Sequence, residues 1–384
     1  MVTVGEGTIP VRELSLRPEG DRLDLAFVDA SGRRRSVAAE EVVEIVFDGG
    51  RPPRPTRPVP EDLEVHLTTG DRLIGKAAER SPEEIRILQP VYGELRLKPD
   101  HVRAVLFPLN RAFLPRPLPG KVEADTVLLK SGDRAEGILR ALSRAGVEYR
   151  SARLERDVLV PLSEAAGVWL AETSPAPKDP DTLFAVVYTG DGSWLKGTVR
   201  SLRDGLLEFT DLYGNLHRVG ADRLSGLILR NGRVVYLSDL EPAAVREDAN
   251  YIRGPEKTPG DLEFPFQRDR SAKGTPLLLG GREHRKGLGV RAHSELVYSL
   301  NRAFRRFQTA VGLDAVALPL GLGAVAAEVW IDGKKVREAV FKAADPPQEW
   351  DLDVSGAAEL RLVVTWAGTG QSDFADWGSA RLIR

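Results

Sequence analysis

The chain has 384 residues, 42% of them apolar, and a formal net charge of −2. A single core stops growing at about 250–300 residues, so more than one domain is expected. The near-zero charge gives no long-range field toward nucleic acid or an anionic membrane, and the absence of cysteine excludes disulfides, thiolate metal sites and cysteine nucleophiles.

Met1 to Gly7 lack the basic and apolar regions of a signal peptide. No apolar run approaches the roughly 20 residues of a membrane helix. From there a pattern recurs. Val65–Gly75, Val127–Gly137 and Val186–Gly197 each read as a strand, a Gly-Asp turn and a second strand closed by glycine. The closing glycines at 75, 137 and 197 lie about 60 residues apart, which suits one small domain per repeat. Each repeat ends alike, as in Leu95–Val102 before Val105–Phe107: a strand, one helical turn and a final strand. Residues 37–47 fit the same ending, so 1–49 read as a divergent first repeat, followed by repeats at 61–109, 121–173 and 181–234.

Five short strands with one helical turn before the last resemble the SH3-like and Sm-like barrels, and closing such sheets would hide their edges. Proline-rich joints at 51–60, 115–120 and 175–180 read as semi-rigid spacers rather than as peptide ligands.

Residues 235–384 read as strands throughout, separated by turns such as Asp332-Gly333, which argues for a sandwich. Four motifs stand out: Tyr236-Leu237-Ser238-Asp239, Lys286-Gly287-Leu288-Gly289, Val311-Gly312-Leu313-Asp314 and Ala375-Asp376-Trp377-Gly378. In that order and spacing they resemble the NPCBM family of carbohydrate-binding modules found beside glycoside hydrolases. The resemblance implies a galactose-binding-like jelly roll that binds glycan or polysaccharide. The whole chain is therefore expected to be all-β, an array of small barrels followed by a jelly-roll sandwich.

Sugar recognition needs flat apolar surfaces and fixed polar groups. Trp330 and Glu328 share the polar face of one strand, opposite Val325, Ala327 and Val329. A second candidate joins His284, Arg291 and His293. Family members usually carry histidine at the position of Arg291, so this chain departs from the pattern there. Trp350, Trp366 and Trp377 read as core residues, and Asn301 to Arg306 as a short helical turn. Jelly rolls of this type often hold a structural calcium, and Asp239, Glu241, Asp373 and Asp376 are the candidate ligands.

The Gly-x-Gly runs at 287–292 and 321–326 match a dinucleotide fingerprint in letters, but both lead into strand sequence rather than a helix. No domain of catalytic size remains for a glycosidase carboxylate pair. The expectation is a non-catalytic glycan-binding protein, extracellular or in the periplasm and cell envelope, whose repeats serve as stalk or dock for protein partners. The alternatives are an accessory region of a glycoside hydrolase or protease complex, and nucleic-acid binding by the Sm-like repeats. The latter ranks last because the repeats mix Arg with Glu and Asp.

Overall fold

A computed structural model describes residues 1–3, 7–19, 22–47, 58–78, 83–115, 120–247, 264–315, 323–343, 345–368 and 373–384. Most of the first two proline joints, at 51–57 and 116–119, lie outside these residues. The chain divides into two compact units, residues 1–232 and 233–384. No helix among the described residues is long and apolar enough to cross a membrane.

Residues 1–232 repeat one strand order. In the second repeat the fifth strand, Val102–Leu106, pairs with the first, Asp62–Leu67. The first then pairs with Arg72–Ala77, which leads through Ile85–Gln89 to Gly93–Leu97. The order fifth-first-second-third-fourth recurs over 125–169 and 184–230. A single 3-10 turn precedes the last strand at Ala39–Glu41, Pro99–His101 and Ala221–Arg223. The periodic glycines have a steric reason. A Cβ at Gly75, Gly137 or Gly197 would stand 2.7, 2.1 or 2.3 Å from a carbonyl oxygen of the neighbouring strand.

The expected barrels do not close. The fifth strands pair with one another instead: Val102–Leu106 with Ala165–Trp169, and Val42–Val46 with Leu224–Arg230. The physical reason lies in the second face of these strands. Ala104, Leu106, Ala166 and Trp169 form their own buried cluster with Leu128, and a solvated fifth strand would leave it wet. Among the described residues the result is one network of 21 strands over a continuous apolar core running from Met1 to Leu229.

Residues 233–384 form a two-sheet sandwich. One sheet runs Gln267–Arg268, Gly287–Arg291, Phe374–Ile383, Arg306–Leu313, Gln348–Asp353, with Val234–Tyr236 also on Phe374–Ile383. The other runs Ala244–Glu247, Ser294–Ser299, Glu359–Trp366, Ala324–Ile331, Lys334–Lys342. Their inner faces bury Val325, Ala327, Val329, Leu362 and Val364 against Phe307, Trp350 and Trp377. Trp350 and Trp377 meet edge to face at 5.9 Å. A helical turn at Asn301 does not form: Asn301 and Arg302 adopt φ of 51° and 59° in a tight turn before the strand from Arg306.

Candidate functional site

The four sequence motifs build the frame of the sandwich. Lys286 is buried and donates to Asp239 at 2.8 Å and to Asp269, tying the first motif to the second. Gly289 lets two backbones cross, since a Cβ there would lie 2.4 Å from the Arg270 carbonyl oxygen. Asp376 is fully buried; burial, then the charge and hydrogen bond of Asp314, push its carboxyl well above the usual range. Trp377 is core.

The expected site residues separate into three places. His284 is buried under the hairpin Leu277–His284 and bonds Ser379 at 2.9 Å. Burial, then the charges of Arg282 and Arg381, lower its pKa to about 4. It is a neutral wedge against the sheet and not part of a solvated loop.

Trp330 and Glu328 lie outward on the five-strand sheet, as the alternation expects. Their polar groups are already matched: the indole N–H donates to Glu328 at 2.7 Å, and Lys335 reaches Glu328 at 3.2 Å and the indole ring at 5.8 Å. A closed triad of this kind leaves few free groups for hydroxyls.

Arg291 and His293 do come together, at the end of the sandwich where the strands Gly287–Arg291 and Glu359–Trp366 finish and Ser294–Ser299, Ala324–Ile331 and Phe374–Ile383 begin. Trp330 is six residues along its strand from that end, about 20 Å away. The His293 ring lies 5.9 Å from Trp366, which packs against the edge of the sandwich core and is partly exposed. Arg291 covers Phe264 at 5.7 Å and Phe374 at 6.0 Å, and the Lys273 ammonium sits 4.4 Å from the Phe374 ring.

Asp373 completes the cluster. One carboxylate oxygen accepts from the Ala324 N–H at 3.1 Å, and its backbone carbonyl accepts from Ala292 at 3.0 Å. The other carboxylate oxygen is buried with no partner among the described residues. Burial raises the Asp373 carboxyl, against the Ala324 hydrogen bond and the Arg291 charge. The signal that could have found Trp366 is its place at a strand end beside a His-bearing loop. Periodicity alone does not distinguish it from a core tryptophan.

The four expected calcium ligands do not converge. Asp239 is held by Lys286, Glu241 by Arg268 at 2.6 Å, and Asp376 lies beside Asp314. Among the described residues no group of three or more His, Asp or Glu is placed to hold a metal ion. The donor set does not fit calcium.

The NPCBM/NEW2 domain matches residues 233–383. Among solved structures, a CBM51 module from Clostridium perfringens GH95 in complex with methyl-galactose is 27% identical, covering 39% of this chain and 99% of that one at a TM-score of 0.34. The C. perfringens ZmpB CBM51-2 and INT domains, in complex with GlcNAc, are 24% identical, over 47% of this chain and 36% of that one, at 0.34. A CBM36 module in complex with calcium and xylotriose is 17% identical, over 26% and 79%, at 0.17. No curated protein matches the sequence.

Proposed function

We propose that the protein is a non-catalytic glycan-recognition protein that takes its sugar at the sandwich end carrying Arg291, His293, Trp366 and Asp373; the match of residues 233–383 to the NPCBM/NEW2 domain supports this reading. The observation that carries this reading is the juxtaposition there of a partly exposed indole with a carboxylate oxygen that has no partner among the described residues. A pyranose presents an apolar C–H face and a polar rim. Trp366 stacks against the face, flanked by His293. Asp373, whose second oxygen has no partner among the described residues, is the acceptor for a hydroxyl once the sugar displaces its cover, and Arg291 donates to another.

One shallow site supports affinities on the order of millimolar to micromolar, so repeated presentation would supply avidity. In this reading residues 1–232 are the stalk or dock through which the module is carried, as an accessory to glycan-degrading enzymes outside the cell or in its envelope. Trp330 and Glu328 are outside the binding end, and a structural calcium is no part of it. The test is calorimetric titration of the whole chain with methyl glycosides, galactoside and N-acetylglucosamine among them. Trp366→Ala should abolish binding and Trp330→Ala should not. The reverse result would move the site to the outer face of the five-strand sheet.

A further inference from the structure

Within residues 1–232, a cleft of about 810 Å³ opens between the first and fourth repeats. It forms where the strands Val11–Glu19 and Trp194–Arg203 meet, with Leu16 opposite Leu202 and both buried. Its floor is apolar, with Phe27, Ile45 and Phe47. Its rim carries five arginines, at 12, 17, 34, 35 and 203, against two carboxylates, Glu13 and Asp204. All five arginines are exposed. Arg35 lies 5.9 Å from the Phe27 ring. The guanidinium groups of Arg12, Arg17, Arg34 and Arg203 form no ion pair with a described residue, in a chain whose net charge is −2.

That concentration runs against the average of the molecule. Some arginines of the same unit are matched, as Arg72 and Arg111 are to Glu64 and Arg218 to Glu208; others, such as Arg103, Arg134, Arg153 and Arg156, form no ion pair with a described residue, and what distinguishes the cleft is five guanidiniums around one concavity. Unmatched guanidiniums around one concavity repel one another and are relieved by an anion with paired oxygens, which their fork geometry fits.

We infer that this cleft binds an acidic glycan, a polysaccharide bearing carboxylate or sulfate groups. The arginines take the anionic groups, and Phe47, the partly exposed ring of the floor, takes a sugar C–H face. A single-stranded nucleic acid would want a series of exposed rings for successive bases, but Phe27 is 3% exposed and only Phe47 is left partly open. The choice of a glycan among polyanions rests on the carbohydrate-binding reading of residues 233–383; the cleft itself does not.

The test titrates the whole chain with hyaluronan, dextran sulfate, neutral dextran and oligo-dT. Binding of hyaluronan or dextran sulfate, with neutral dextran ignored, is expected, and which of the two binds identifies carboxylate or sulfate as the anion. Arg34→Gln should weaken binding about tenfold, and Arg12→Gln, Arg34→Gln and Arg203→Gln together about a hundredfold or more, with an unchanged melting temperature because all three side chains are exposed. Binding should also weaken between about 0.1 M and 1 M salt, where the screening length falls from about 10 to about 3 Å. Trp366→Ala should leave acidic-glycan binding intact, which separates failure here from failure at the sandwich end. Equal binding by the triple variant, no binding of either acidic glycan, or oligo-dT bound as tightly as the glycans would each overturn the inference.

Discussion

Asp373→Asn separates a binding role from a structural one. The change keeps an amide oxygen to accept from the Ala324 N–H and replaces the second, buried oxygen by an NH2 group. Burial holds the Asp373 carboxyl above its ordinary range, so its charged form is a net burden on the fold. Sign follows: a raised folded-state pKa means the carboxylate destabilises at pH above it, and neutralisation relieves that. The melting temperature at neutral pH should therefore stay level or rise. Glycan affinity should fall, because a hydrogen bond to a charged acceptor contributes about 1.5–3 kcal/mol, or roughly tenfold to a hundredfold. In the unchanged protein affinity should likewise decline as pH drops through the raised pKa. Paired calorimetry and thermal unfolding decide it. A melting temperature that falls together with affinity would make Asp373 a structural residue and refute the reasoning.

Three other outcomes can be measured. Gly378→Ala sets a Cβ 2.8 Å from the buried His284 ring and should destabilise the sandwich by about 1–3 kcal/mol; adding His284→Ala should recover part of the loss in thermal unfolding. Burial alone would raise the Glu64 carboxyl, but the His66 hydrogen bond and the charges of Arg72, His66 and Arg111 hold it at about 2 against 4.5. That gap corresponds to about 3 kcal/mol, present in full above pH 4.5 and lost as pH falls toward 2, so Glu64→Gln should flatten the acid limb of stability in urea titrations. A chelator should leave the melting temperature unchanged, since Asp239 and Glu241 are engaged by Lys286 and Arg268; a clear drop would restore a calcium site.

The sequence by itself determined the local structure. Alternating apolar residues set the strands, and the glycines at 75, 137 and 197 marked where neighbouring backbones cross. Trp330 faced outward as its strand's period of two required. The motifs around Lys286, Asp314 and Trp377 disclosed the module because their packing is local to one frame: a buried lysine needs its carboxylates, and crossing backbones need glycine. Tertiary structure decided what lies far apart in the chain. Whether the repeats closed depended on which partner covered the second face of Val102–Leu106, and that partner lies about 60 residues on, in Ala165–Trp169. His284 and His293 look alike as loop histidines, yet one is sealed under a hairpin and the other stands at a strand end beside Trp366. The sequence offers Asp373 as a metal ligand beside Asp239 and Glu241, but those two are held by Lys286 and Arg268. Strand periodicity specifies which face a side chain takes, but only the pairing of distant strands specifies what it faces.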